Sequence, residues 1–368
     1  MSRKPRILFV LAEQLGWATY ARLVRNVLSE RDDIEWEVLN PVPPRIYRSL
    51  NKHPYLTGVG RWVRRVDPIS AYSSFVGRPV RKAVDRFKPD LVHFADHHPA
   101  GSLAICKGAP PFTVALDATR RVVDRMHARR AWSDEDYNRE ARLLRGAAFL
   151  FPMSAWAGNS LSDDYGIPKV RQIIMPPGVD PVGIGTRKPA EHSSRLPKVI
   201  FVGNHFRRKG GHLIIDWMKG PLAGRCELHI VSSDPEVAGL AKPGVVVHGG
   251  VPHPVLMGEI LPQMDLLCHP TQSDMSAYVV VEAALAGIPS VASRIGGIPE
   301  LILEGQTGWC IDPSDEVGFV NKLRELASDR TLISAAGQRA KAHAWQHFDA
   351  RSNYSRVIDS LKELAGAK

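Results

Sequence analysis

The sequence predicts an α/β protein built from two doubly wound parallel-sheet domains. Three observations carry this expectation. Short apolar runs alternate with longer amphipathic stretches along the chain, the alternation runs twice, and a segment rich in Pro, Gly and charge at 176–197 separates the two series. Strands with few polar interruptions, followed by helices, indicate sheets covered on both faces. At 368 residues, two domains fit the length better than one. In such sheets ligands sit beyond the carboxyl ends of the strands.

In the first series the apolar runs Arg6–Ala12, Ile34–Leu39, Leu91–Ala95, Phe112–Leu116, Ala148–Phe151 and Gln172–Met175 read as strands. Helical periodicity marks Tyr20–Ser29, Ser70–Phe87, Glu135–Arg145 and Ala155–Asp164. The second series supplies strands at Lys198–Val202, Glu227–Val231, Val245–His248, Asp265–Cys268, Pro289–Ala292 and Gly308–Ile311, with a helix over Ala277–Ala286. The domains are therefore expected at 1–177 and 198–345, with 178–197 as linker. Residues 346–368 are left for a terminal helix, Arg351–Leu364, expected to pack back on the first domain.

Composition narrows the class. Hydrophobic residues at 44% and charged residues at 23% are those of a soluble globular chain. No apolar run approaches the length of a spanning helix, and the basic start MSRKPR leads into too short an apolar stretch for a secretory signal. Four dispersed cysteines without a CxxC pair exclude a disulfide scaffold and a Cys-based zinc site, and suit a cytoplasmic protein. The net charge of +10 is uneven: residues 1–180 hold 28 Lys+Arg against 19 Asp+Glu, and 181–368 hold 20 against 19. Between Arg45 and Lys88 eleven basic residues face only Asp67 and Asp85. Such a half suits an acidic small molecule, an anionic membrane surface or nucleic acid. No nucleic-acid motif or aromatic platform accompanies the cations, so nucleic acid is not expected.

Gly16 follows the first strand just before a helix, where backbone N–H groups can meet an anion. The second domain repeats this arrangement with more chemistry. Its first strand runs into Gly203, Asn204, Arg207, Arg208, Lys209 and two further glycines ahead of a helix. Adjacent cations at a strand end, with a helix start, suit a pyrophosphate. Further on, PTQSDMSAYVVVEAALAGIPSVAS places Asp274 in a loop and Glu282 inside an apolar helix. A carboxylate buried there must accept hydrogen bonds, from sugar hydroxyls or from backbone N–H groups.

These motifs together resemble the retaining family-4 glycosyltransferases (glycosyl transferases group 1) of the GT-B fold, two Rossmann-like domains facing a central cleft. Asp274 and Glu282 match the acid-x7-Glu pattern, with Asp where Glu is usual. AGIPSVAS, GGIPE, the Arg-Lys-Gly-Gly turn at 208–211, VHGGV ending at Val251, PMSAW and MPPGVD match the surrounding segments. The resemblance implies a sugar transferred from a nucleoside diphosphate sugar, UDP- or GDP-linked, to a hydroxyl acceptor on a glycan, lipid-linked or small molecule. It implies no metal and no further cofactor. It places Glu282 on the ribose, Asp274 on the transferred sugar, Ala277, Tyr278 and Val279 at sugar and phosphate through their N–H groups, and Lys209 on the diphosphate. The family's phosphate arginine is replaced by Asn204, so Arg207 or Arg208 is expected to compensate.

In the first domain Asp117 ends a strand where the family often carries an acceptor-side histidine. It is a candidate to orient or deprotonate the acceptor, with a capping role as the alternative. Asp96, His97 and His98 end the preceding strand, and the two histidines are weaker acceptor-side candidates. The literal DxD at Asp134–Asp136 follows Ser133 and reads as a helix cap, not a metal site. A basic N-terminal half suggests an acidic or lipid-linked acceptor, and a cytoplasmic protein peripheral at the inner membrane face. Two other readings stay open: a GT-B UDP-sugar 2-epimerase, and a non-enzymatic module binding polyanions or membranes.

Overall fold

The computed structural model describes residues 3–11, 13, 16–42, 68–104, 108–181, 183–185 and 195–366, with backbone alone at 68–72. Arg61, Arg64, Arg65 and the rest of the basic stretch before residue 68 lie outside these residues, as does most of the expected linker. The chain divides into two compact units, Met1–Pro176 with Arg351–Lys368, and Pro177–Ala350.

The first unit holds a five-stranded parallel sheet of β1 (Arg6–Leu11), β2 (Glu35–Leu39), β3 (Leu91–Ala95), β4 (Phe112–Leu116) and β5 (Phe149–Pro152). The order is β2-β1-β3-β4-β5, so the winding reverses between β1 and β3. β1, β3 and β4 are almost wholly buried, which is why they read as uninterrupted apolar runs. Helices α1 (Trp17–Leu28), α2 (Pro68–Phe87) and α3 (Asp134–Gly146) cover the sheet. Ser133 and Asp136 form a reciprocal capping box at the start of α3, so the DxD acids serve the helix terminus. Residues 172–175, expected as a strand, run beside β5 with hydrogen bonds from Ile173 to Leu150 (3.0 Å) and Met175 to Pro152 (2.8 Å). They make only an isolated bridge there, because two prolines end the segment at once.

The second unit holds a six-stranded parallel sheet, β6 (Lys198–Val202), β7 (Glu227–Val231), β8 (Val245–Gly249), β9 (Leu266–His269), β10 (Ser290–Ser293) and β11 (Gly308–Ile311). Its order, β11-β10-β9-β6-β7-β8, reverses between β6 and β9. Helix α4 (Gly211–Lys219) follows β6, and α5 (Tyr278–Leu285) follows β9. α5 is buried along almost its whole length, consistent with its YVVVEAAL sequence, and packs with Leu267, Ala292, Ile298 and Ala340.

α6 (Arg330–His347) runs past the expected boundary at 345, so the second unit extends to Ala350. The last helix, α7 (Ala350–Gly366), belongs from Arg351 onward to the first unit. Its Tyr354 ring meets Tyr20 edge-on at 5.2 Å, both fully buried, while Lys362 pairs with Asp33 and Asp359 with Arg31, each at 2.7 Å. Among the described residues no helix is long and apolar enough to cross a membrane.

Candidate active site

The reversal between β6 and β9 makes a crevice at the carboxyl ends of those strands, the usual ligand position in an open α/β sheet. Two loops meet there, 203–210 after β6 and 270–277 after β9. Gly210 permits their close approach, and Gly296, after β10, lets a third loop close on the second. Gly210 has φ +80°, and a Cβ on it would lie 2.0 Å from the Pro270 carbonyl oxygen. Gly296 has φ +58°, and its Cβ would lie 2.2 Å from the Asp274 carbonyl oxygen. Only glycine satisfies both the conformation and the space.

In this crevice the Lys209 ammonium donates to Asp274 Oδ2. His269, fully buried at the end of β9, donates from Nε2 to the same oxygen at 3.1 Å. Burial pushes the Asp274 carboxyl up, but the His269 hydrogen bond and the Lys209 charge outweigh it and hold the group below the ordinary carboxylate range. Burial likewise lowers the His269 pKa, which makes it a neutral imidazole. Its Nδ1 is buried with no hydrogen-bond partner among the described residues, so the single ring proton is committed to Asp274. Both hydrogen bonds fall on Oδ2, and among the described residues Oδ1 takes none.

The remaining candidates sort by position. Arg208 turns its guanidinium toward the second loop and donates to the Ser273 carbonyl, while its own carbonyl accepts from Gln272 N–H at 2.9 Å. Arg207 is exposed and pairs with Glu236 at 2.7 Å. Asn204 Oδ1 accepts from Ser233 N–H at 3.0 Å and so braces the neighbouring loop. Gly203 donates to the Val231 carbonyl at 3.0 Å, and the Lys209 stem crosses close above it. Ala277 is the N-cap of α5 and offers no side-chain cap, so Ala277, Tyr278 and Val279 present the positive end of the helix beside Asp274. Glu282, one turn further along α5, is buried and accepts from His253 Nε2 at 2.9 Å. Val251, half-buried, packs against the core beneath α5.

The first unit repeats the logic at its own reversal, between β1 and β3. Gly16 is the N-cap of α1 with φ −60°, and a Cβ there would meet nothing within 4 Å. Among the described residues nothing therefore requires glycine at that position. Asp96 after β3 has φ +93°, a strained conformation for a non-glycine residue. It accepts from His98 Nδ1 at 2.7 Å, and His97 Nδ1 lies 3.2 Å away. Burial works against ionisation of Asp96, but both imidazoles oppose it and hold the carboxyl low. One potential ligand atom from each of Asp96, His97 and His98 lies within 4.8 Å of the others. Asp117 directly follows β4, and its pKa is raised to about 6, by burial first and then by the Asp96 charge.

No sequence motif marks His269 or His253, although each faces a carboxylate of the site. Their signal in the sequence is a lone histidine at the end of the apolar run LLCH, and another between the prolines of VPHPV.

Residues 17–182 match the family described as Glycosyltransferase Family 4, and residues 196–329 match Glycosyl transferases group 1. The chain belongs to the family-4 glycosyltransferases. It is 24% identical over 331 residues to a D-inositol 3-phosphate glycosyltransferase of Nocardia farcinica, covering 83% of this chain and 65% of that one. The chain spans less than two thirds of the length of the curated relatives it matches. Among solved structures, sucrose-phosphate synthase of Thermosynechococcus elongatus superposes with a TM-score of 0.80 at 15% identity, covering 100% of both chains. Anabaena HepE in complex with UDP-glucose gives 0.70 at 18% identity, covering 97% of this chain and 99% of that one. The fold of this family-4 glycosyltransferase is GT-B.

Proposed function

We propose that this chain transfers a sugar from a nucleoside diphosphate sugar, UDP- or GDP-linked, to a hydroxyl acceptor with retention of anomeric configuration. The observation that carries this is the meeting of Lys209 and Asp274 in the crevice between β6 and β9, beside the N-terminus of α5. In the proposed complex the diphosphate takes the Lys209 ammonium, with Arg208 as the second cation. Asp274 Oδ1 accepts from a sugar hydroxyl, and Glu282 accepts from the ribose. The N-terminus of α5 adds positive potential where the leaving group develops charge, so no metal is needed in this reading. HepE, a neighbour in fold, is in complex with UDP-glucose, which supports a donor of this class.

In the proposed reaction the acceptor oxygen bonds to the anomeric carbon on the face from which the diphosphate leaves. The departing phosphate oxygen takes the hydroxyl proton, and Asp117 orients the acceptor. The basic charge of residues 1–180 supports an acidic or lipid-linked acceptor and a peripheral position on the cytoplasmic membrane face.

The test is transfer to acceptor by Lys209→Ala and Glu282→Ala proteins, with folding checked by circular dichroism. Loss of transfer in folded protein is expected, and near-normal turnover in both overturns the reading. Donor conversion without acceptor would instead identify an epimerase.

A further inference from the structure

In the first unit, residues 121–137 enclose an open hollow of about 430 Å³ whose walls are mostly guanidinium. Arg121, Arg125, Arg129 and Arg130 line it, together with Asp124 and Tyr137. The floor is built. Buried Asp124 accepts at Oδ2 from the Tyr137 hydroxyl and from Ala131 N–H (3.0 Å), tying α3 to the turn that carries Arg129 and Arg130. Arg121 stacks on the Tyr137 ring at 4.5 Å, and Arg130 lies 5.7 Å from the same ring. These contacts hold two planar forks in place before any ligand arrives.

The four cations are not equally available. Arg125 is held bidentately by Asp164, at 2.6 and 2.8 Å, and Arg130 pairs with Asp134. Among the described residues no carboxylate forms a salt bridge with Arg121 or Arg129, and both side chains are exposed. A monoanionic carboxylate would satisfy one fork. Two uncommitted forks beside two partly neutralised ones suit a dianion with three terminal oxygens. The neighbouring Arg120 is buried, its backbone N–H donating to Glu140 and its guanidinium to the Asp136 carbonyl at 2.9 Å, so it adds no fork to the hollow.

We propose that this hollow is a binding site for a phosphate monoester, with Arg121 and Arg129 as its principal donors. The phosphate belongs to a soluble molecule or to a lipid headgroup. The site does not depend on the donor reading.

The test uses the whole chain carrying Lys209→Ala, so that the donor-side lysine does not contribute. Calorimetry with inorganic phosphate at low ionic strength is compared with and without R121Q/R129Q. Phosphate affinity should fall about tenfold or more, because two charge-assisted forks are removed. R121K/R129K keeps the charge and loses the forks. It should bind more weakly than the arginine protein, whereas equal affinity would mark a diffuse charged surface and overturn the site. A second arm measures sedimentation with vesicles of phosphatidylcholine and phosphatidic acid. Loss of pelleting alongside loss of phosphate affinity assigns a lipid headgroup, and unchanged pelleting with loss of phosphate affinity assigns a soluble ligand. Unchanged phosphate affinity in R121Q/R129Q overturns the proposal, whatever the vesicles do.

Discussion

Lys209 and Asp274 are sixty-five residues apart in sequence and joined by an ion pair in the crevice between β6 and β9. Their side chains are 17% and 11% exposed, so the pair is shielded from most solvent screening. Any anion drawn to the ammonium must therefore share it with an existing partner.

Breaking this pair should be measurable as stability. Lys209→Met removes one of the two donors to Asp274 Oδ2 and is expected to cost roughly 1–3 kcal/mol in urea unfolding at neutral pH. The domain should still fold, since that is a fraction of a usual total. The sign with pH follows from the depressed Asp274 pKa. Its contribution is full above the unfolded value of 3.8 and is lost as pH falls through the lower folded value. Asp274→Asn should accordingly flatten the acid limb of the stability profile below about pH 4. An unchanged limb would place the acid sensitivity elsewhere.

Asp117 works in the opposite direction. Its folded pKa of about 6 lies above the unfolded 3.8, so burial favours the protonated form and stability is lost as pH rises through 6. Asp117→Asn is expected to gain roughly 1 kcal/mol or more at pH 8 and nothing at pH 4. If Asp117 orients the acceptor in its ionised form, wild-type transfer should also fall below about pH 6, and this inflection should vanish in the Asn protein. A pH–rate profile of both proteins checks the second point.

Glycine substitutions separate the loop after β10 from the turn into α1. Gly296→Ala must move the Asp274 carbonyl or the backbone, and should destabilise by roughly 2 kcal/mol or more while weakening donor binding. Gly16→Ala meets no atom of the described residues within 4 Å at a helical φ, and should be within about 0.5 kcal/mol of wild type. Thermal melts with and without UDP distinguish them.

The terminal helix is a core element of the first unit. Tyr354→Ala removes a fully buried ring from its edge contact with Tyr20 and should cost roughly 3–5 kcal/mol. Urea unfolding followed by near-ultraviolet circular dichroism would show it. A loss under 1 kcal/mol would mean the helix only rests on the surface.

The strands of both sheets were legible because buried parallel strands must be apolar on both faces, and β1, β3 and β4 read as nothing else. Segment 172–175 misled because the same β-rich composition serves a strip bonded on one side only. Asp274, Glu282 and Lys209 were legible because charged residues at strand ends and in apolar helices have few structural uses. His269 and His253 were not, because a single histidine at a strand end carries no spacing to read. Their meaning is the carboxylate each one faces.

From sequence alone came the two-domain α/β class, the family resemblance and the identity of the charged residues at the strand ends, since these follow from local periodicity and short ordered motifs. The tertiary structure decided which of those residues share an atom: Asp274 Oδ2 with both Lys209 and His269, and Arg208 rather than Arg207 beside that loop. It also decided that four arginines between residues 121 and 130 line one hollow, and that the last helix belongs to the first unit. The physical reason is the same in each case. Strand order and side-chain rotamers bring together groups remote in sequence, and no local pattern of residues encodes that distance.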